Sequence, residues 1–239
     1  MKTRQIIIDN ETLDIAPSAV LLTVGAVAVE IVDGKATVLS RWYRRINWHL
    51  PDIAQPQRTI SQRTADWWLD QSEAAFNEAV ADNTARIPLW LAVESLSAWL
   101  RLNPYPIWGN GSDFDNAQLQ HAFTQHGLRW PYWRNRCLRS LRGLVLDLHP
   151  DAKLPEFPAD KIKHHALHDA EHEAHVLAAL LRALAEPAAI RVSICSRIQI
   201  PPVIVALSAI DASQYRNTLS ALLNKQIAKQ TLQAHTQHH

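Results

Sequence analysis

Three isoleucines, Ile6-Ile7-Ile8, run straight into Asp9-Asn10-Glu11. A β-branched run of this kind reads as a short strand. In an extended chain, residues two apart point to the same face, so Asp9 and Glu11 set two carboxylates side by side where that strand ends. A carboxylate next to a hydrophobic strand is costly unless something uses it. Two on one face repel each other and await a cation. A polar strand end facing water accounts for the same residues, so the feature is weighed below with others.

The chain has 239 residues, enough for one domain with an appendage or for two domains. It is 47% hydrophobic and 20% charged, which supports a real core. Its 24 Lys and Arg face 23 Asp and Glu, a net charge of +1 that excludes a basic nucleic-acid coat over the whole chain but not a local basic surface. Two cysteines, Cys137 and Cys195, cannot build a disulfide framework and read as free thiols of a reducing compartment. The apolar run after Met1-Lys2-Thr3-Arg4-Gln5 is too short for a signal peptide, and no run approaches the ~18–20 residues of a membrane span. The expectation is a soluble, cytoplasmic protein without a membrane partner.

Strand and helix signals alternate along the first part. Residues 19–31 read as a buried strand, Asp33-Gly34 as a hairpin turn, and residues 36–44 as a third strand. Residues 60–80 suggest one or two helices, 88–100 a helix with Pro88 near its start, 106–109 a short strand, and 116–126 and 137–146 two further helices. A long Ala/Leu-rich helix is expected over 166–185. This order predicts an α/β fold with a sheet of mixed direction. A boundary is expected at Glu186-Pro187, where a helical pattern meets a proline. Residues 187–239 hold five basic residues against one acid, and residues 1–186 hold 19 against 22. A helical pattern over 206–234, with Lys225 and Lys229, could dimerise, hold a single strand, dock a partner or pack back on the first part.

Two more acidic segments accompany the first. Trp108-Gly109-Asn110-Gly111-Ser112-Asp113-Phe114-Asp115-Asn116 joins a strand end, two glycines and acids that open a helix. Either Asp could simply cap that helix. Lys163-His164-His165-Ala166-Leu167-His168-Asp169 opens the Ala-rich helix with a His and an Asp five apart. His is the usual general base near neutrality, although a solvated, His-rich helix start would look the same. Together the three segments bring Asp, Glu, Asp and Asp to places where the backbone turns, the hard oxygen set that divalent metals require.

The three segments resemble the motifs of the DEDDh family of 3′→5′ exonucleases, on the ribonuclease H-like fold. The motif Asp-x-Glu is matched by Asp9 and Glu11, and Thr12-Leu13 fits the pattern that follows it. Asn-x-x-Phe-Asp is matched from Asn110 to Asp115, with one extra residue before Phe114. His-x-Ala-x-x-Asp is matched by His164, Ala166 and Asp169. His165 has the spacing of the tyrosine variant of the superfamily, and the Ala at +2 favours His164. The phrases around Asp9, Ser61 to Gln71 (with Thr64, Trp67, Trp68 and Gln71), Trp108 to Asn116 and Trp130-Pro131-Tyr132-Trp133 are similar to the phage and bacterial exonuclease VIII-like, or exoribonuclease-like, branch. The resemblance covers residues 1–186. It implies a mixed sheet flanked by helices. Residues 187–239 match no family, and their charge and helical pattern make them a basic, helical C-terminal extension of unknown role.

By the same resemblance, Asp9, Glu11, Asp115 and Asp169 would hold two Mg²⁺ or Mn²⁺ ions and His164 would serve as general base. The implied partners are the 3′ ends of single-stranded DNA or RNA, with a slight tilt to DNA from the phage-like context, and the product is a nucleoside 5′-monophosphate. Candidate substrate contacts are Thr12, Leu13, Trp67, Trp68, Gln71 and Asn110. Adjacent tryptophans on a helix diverge by about 100°, so at most one of Trp67 and Trp68 need be core. Arg129, Arg134, Arg136, Arg139 and Arg142 surround Trp130-Pro131-Tyr132-Trp133, an interleaving suited to a nucleic-acid backbone or to a solvated helix with its tryptophans in the core. A second copy of the chain, as a homodimer, is a further candidate partner. Two competing readings stand beside this one. The first is a zinc site at His168, His172 and His175, three histidines on one helix face, although Glu171 and Glu173 nearby also suit an ordinary solvated helix. The second is a non-catalytic binding or assembly module on the same fold, against which all four acids and the His are present.

Overall fold

A computed structural model describes residues 2–81, 85–185, 189–191 and 204–206. The chain divides into two units, Met1–Glu186 and Pro187–His239.

The first unit is built on a five-stranded mixed sheet of order β3-β2-β1-β4-β5. Strand β1 (Lys2–Thr12) pairs antiparallel with β2 (Leu21–Val32), which pairs antiparallel with β3 (Lys35–Arg45). The turn between β2 and β3 is the expected one, with Asp33 at φ 48° and Gly34 at φ 77°, both left-handed as a tight hairpin asks. Helices α1 (Pro51–Ala54), α2 (Gln62–Leu69), α3 (Glu73–Phe76) and α4 (Leu89–Leu102) follow. Strand β4 (Ile107–Gly109) then joins β1 in parallel, and helix α5 (Ala117–Gln125) comes after a π-helical turn. Strand β5 (Asn135–Cys137) extends the sheet in parallel to β4 and leads into α6 (Leu138–Leu148) and α7 (Ala166–Ala185).

The pleat of β1 explains the layers. Ile6 and Ile8 pack with Val24, Ala26 and Trp42 under α4 and α5, while Ile7 packs with Val27, Val29 and Ile31 under α6 and α7. Burial on both faces is why this strand reads as an uninterrupted apolar run. Asp9 and Glu11 continue the Ile7 side of the pleat, toward α7. A third cluster, with Leu13, Val20, Leu22 and Trp68, lies beside α2 and α3.

The structure corrects the sequence expectation in three places. Asp9 and Glu11 do not follow β1 but lie within it, because β2 pairs with β1 residue by residue as far as Glu11 and Thr23, with a register shift before Thr12 and Leu21. Residues 135–137 form β5, where the helix was expected to begin at 137: three residues are too few for a period to show, and Asn135-Arg136-Cys137 carries no apolar signal. The expected helix start at 116 is instead the end of a π-helical turn, Ser112–Asn116.

In the second unit, β6 (Ala189–Arg191) pairs antiparallel with β7 (Ile204–Ala206). The helical pattern expected over 206–234 lies outside the described residues apart from Ala206, which ends β7. No helix among the described residues is long and apolar enough to cross a membrane.

Candidate active site

The three acidic segments meet at the C-terminal ends of β1 and β4. Their meeting depends on two close approaches that only glycine permits. Gly25 stands opposite Asp9 in the β1–β2 register. A Cβ there would come within 2.4 Å of the Ala166 carbonyl group, so its absence lets the first turn of α7 lie against the sheet. Gly109 ends β4, and a Cβ on it would sit 2.5 Å from Asn116 Oδ1 and 2.8 Å from the Asp115 Cβ. That contact presses the π-helical turn onto the strand. A π turn is one residue wider than an α turn, and it is here that the Asn-x-x-Phe-Asp pattern carries its extra residue. Asn10 pins the turn: its backbone N–H donates to Asp115 Oδ1 at 3.3 Å, and its Nδ2 donates to the Asp115 carbonyl at 2.9 Å. No side chain caps this turn or α5, so the capping role considered for Asp113 and Asp115 is not realised.

His164 precedes α7 in the left-handed conformation, φ 65°, which a non-glycine residue adopts at a cost. Its N–H donates to Asp169 Oδ2 at 2.8 Å, tying loop to helix. The imidazole Nδ1 lies 3.9 Å from Glu11 Oε1, and the ring sits edge-on to Trp67 and Trp68, with centroids 5.0 and 6.3 Å away. Ligand atoms of Glu11, His164 and Asp169 all lie within 4.8 Å of one another, a group that could hold a metal ion. His165 turns elsewhere. It stacks on Tyr43 and His168, and its Nε2 is 3.8 Å from Glu78.

These groups line a cleft of about 740 Å³. Asp9, Glu11, Thr12, Trp67, Trp68, Asn110, His164 and Asp169 are on its wall, and Asp115 is buried directly behind it, bonded to Asn10. The two tryptophans divide as their geometry requires. Trp68 is 1% exposed and donates its indole N–H to the Thr12 carbonyl at 2.8 Å, whereas Trp67 is 42% exposed and open to the cleft. Two expected contacts are not on the wall. Leu13 packs into the cluster around Trp68, and Gln71 turns back to donate to the Trp67 carbonyl.

Burial raises the pKa of Asp9, Glu11, Asp115 and Asp169, and repulsion between acids adds to it at Asp9 and Glu11. Burial, then the charges of Glu11 and Asp115, push Asp9 well above the carboxylate range. Burial, then Asp169 and Asp115, do the same to Glu11. Burial raises Asp115 to about 7 against the pull of backbone N–H groups and Arg139, and raises Asp169 to about 6. Burial, then the nearby Lys163, lowers His164, which keeps its ring neutral near pH 7. An acid cluster of this kind is short of positive charge.

One acid escapes the sequence reading. Glu173, expected to be solvated, is 6% exposed and faces the cleft. Burial, then Asp115 and Asp169, raise its pKa well above normal, and Arg142 and Asn110 oppose the rise. Its Oε2 and the Oδ2 of Asp9 are buried without a hydrogen-bond partner. The signal was present: Glu173 is one turn from Asp169, between Ala170, Ala174 and Leu177 of the buried face. Glu171 is the solvent-side acid and pairs with Arg41 at 2.5 Å. The three helix histidines do not converge. His168 stacks on His165, His172 lies edge-on to Phe157, and His175 is exposed.

The five arginines expected to act together separate. Arg139 donates to the Asn110 carbonyl at 2.7 Å and Arg142 lines the cleft. Arg129, Arg134 and Arg136 lie around a second cavity.

Residues 4–181 match the family described as the 3'-5' exoribonuclease Rv2179c-like domain. No curated protein matches the chain. Among solved structures, the nuclease domain of 3'hExo, described as a DEDDh family member bound to rAMP, is similar over 75% of this chain and 92% of that one, with 14% identity and a TM-score of 0.50. The metal-free form of the E. coli ExoI–ssDNA complex is similar over 75% of this chain and 38% of that one, with 14% identity and a TM-score of 0.50. At these identities the likeness is one of fold, the mixed sheet and flanking helices of the ribonuclease H-like nucleases.

Proposed function

The chain belongs to the 3'-5' exoribonuclease Rv2179c-like domain family, and from that membership and the cleft we propose that it trims single-stranded nucleic acid from the 3′ end, using two divalent metal ions and a histidine base. It is a 3′→5′ exonuclease of the DEDDh type. The observation that carries the finer reading is the buried, cation-deficient carboxylate cluster beside a neutral histidine.

The donor set fits divalent metal. It consists of hard oxygens, with buried oxygens of Asp9 and Glu173 left without partners. In this reading Asp9, Glu11, Asp115 and Asp169 hold the ions, Mg²⁺ or Mn²⁺. When bound, such ions lower the pKa of a water molecule and stabilise charge on the leaving 3′-oxygen. The chain's own groups supply the rest. His164, kept neutral by burial, accepts the proton of the attacking water at a ring nitrogen. Trp68 and Trp67 steady that ring edge-on. The exposed face of Trp67 and the side chain of Phe114 offer the terminal base a stacking surface, and Arg63, Arg142 and Lys163 on the cleft wall face its phosphates. Attack at phosphorus breaks the bond to the 3′-oxygen, which takes up a proton. A nucleoside 5′-monophosphate and a shortened 3′-hydroxyl strand are released.

The family is described by action on RNA, which supports RNA as the first substrate to test; the phage-like motifs tilt toward DNA. The test uses 5′-labelled RNA and DNA of equal sequence with Mg²⁺, Mn²⁺ or EDTA, and Asp115→Ala as control. A ladder shortening from the 3′ end, dependent on metal and absent in the variant, is expected. Binding without cleavage under every metal condition would overturn the proposal and favour a non-catalytic module.

A further inference from the structure

The second cavity, about 600 Å³, opens where β4 and β5 begin. Its wall includes Arg101, Arg129, Arg134, Arg136 and Trp133, and no Asp or Glu among the described residues. The four arginines do different work. Arg134 is structural: its guanidinium donates to the carbonyls of Tyr105, Leu100 and Asn103 at 2.6, 3.2 and 2.5 Å, fastening the end of α4 to the chain entering β4. The others are not used up in this way. Arg101 donates to Ser97 Oγ, and Arg136 donates to the adjacent Trp133 and Asn135 carbonyls. Arg129 lies over the Trp133 ring, 5.4 Å from its centroid. None of these three has a carboxylate partner among the described residues.

The aromatic groups are presented as deliberately as the charges. Pro131 leads into a single 3-10 turn, Tyr132–Arg134. That turn leaves Tyr132 60% and Trp133 58% exposed, packed edge-to-face at 5.4 Å. Trp130, two residues earlier, is buried against Phe123 and anchors the segment. Stacking faces next to unpaired guanidinium groups, with no nearby acid, match an alternating polymer of bases and phosphates.

The place of this cavity excludes it from the cleft. Asn110, on the cleft wall, follows β4, and Pro106, on the cavity wall, precedes it. At roughly 3.3 Å per residue, the two are separated by about 13 Å along the strand.

We propose that this cavity is a second binding site for single-stranded nucleic acid, which holds an interior stretch of the strand whose 3′ end is cut in the cleft. Bases stack on Trp133, and phosphates meet Arg101, Arg129 and Arg136. The proposal rests on the exonuclease reading for the identity of the strand, and it makes affinity depend on strand length.

The test measures fluorescence anisotropy of labelled RNA in EDTA, with strands of about 4 and about 24 nucleotides, below and above the span of one binding site. Wild type is compared with Trp133→Ala and with the double variant Arg129→Ala/Arg136→Ala, neither of which touches Arg134 or the cleft. Hydrolysis of the p-nitrophenyl esters of uridine and thymidine 5′-monophosphates with Mn²⁺ reports the cleft alone. Each variant is expected to weaken the long strand about tenfold, within the range of one lost stacking contact. The double variant also flattens the dependence of log K on log salt by about 1.4, two phosphate contacts. Short-strand affinity and ester turnover stay at the wild-type level. Unchanged long-strand affinity and salt slope overturn the proposal. So does a wild-type dimer, seen by light scattering, that the variants dissolve, because the surface then belongs to a contact between copies. If wild type leaves both esters intact, the exonuclease reading is overturned, while the binding data still decide this site.

Discussion

The two ends of β4 carry opposite chemistry built in opposite ways. At its C-terminal end, five carboxylates are crowded behind or along a cleft, most of them buried. At its N-terminal end, arginines and aromatic rings stand in solvent. The difference follows from what each end has to hold. A small, doubly charged ion is gripped by oxygens whose charge water does not screen, and burial supplies that at the cost of repulsion in its absence. A flexible polyanion needs accessible faces and charges, which keep their hydration until it arrives. One end therefore stores electrostatic stress and the other does not.

Removing a carboxylate should separate the ends most sharply. Asp115→Ala is expected to lower turnover by about a thousandfold or more, several kcal/mol of transition-state stabilisation. Its affinity for a long strand in EDTA stays within about twofold. Single-turnover assays beside equilibrium binding check both, and turnover near wild type would break the contrast.

The tryptophans test burial. Trp68→Ala should cost about 3–5 kcal/mol of unfolding free energy, since it empties a packed site and orphans the Thr12 carbonyl. Trp133→Ala should cost less than about 0.5 kcal/mol. Urea denaturation of the two variants measures the difference.

Proton uptake tests the stored stress. Asp115, at about 7, and Asp169, at about 6, both lie above the unfolded value of 3.8. The folded protein then binds more protons than the unfolded chain between those values. The metal-free protein is therefore most stable at low pH within that window and loses stability as pH rises from about 4 to 7, by up to about 1.4 kcal/mol per pH unit for each such group. Thermal melts in EDTA should show a higher midpoint at pH 5 than at pH 8. Saturating Mn²⁺ should shrink or reverse that gap, because metal competes with protons for the same oxygens.

Glu173→Gln should have a small effect and the most specific one. The charged form of Glu173 is disfavoured where it is buried among other acids, so the gain in the metal-free protein grows as pH rises, to about 1 kcal/mol. The stabilisation that Mn²⁺ confers falls, readable in the same melts. No gain at any pH would mean that Glu173 is already fully compensated by Arg142 and Asn110.

Much of this site is legible in the chain because its parts are local. Asp9 and Glu11 share a face by the period of a strand, and the helix over 166–185 takes the bounds its Ala/Leu pattern predicts. Asp169 sits at the recognised spacing from His164, and Asp115 one residue beyond the recognised spacing from Asn110. What stays hidden is short or depends on a neighbour. Strand β5 is only three residues long and exists because β4 offers it hydrogen bonds. Leu13 and Gln71 fit the motif phrases, yet one packs into a core and the other folds onto its own helix.

The sequence by itself determined which residue types stand at which spacing, because motif and period are properties of consecutive residues. It also determined that His164 and Asp169 share one helix start. Only the tertiary structure decided that Asn10 meets Asp115 across 105 residues, that Glu173 joins the acids while Glu171 does not, and that the arginines split between two ends of one strand. Those outcomes are set by sheet register and by the backbone contacts at Gly25 and Gly109. Register and packing join segments far apart in the chain, and burial, which moves each pKa, exists only once they have met.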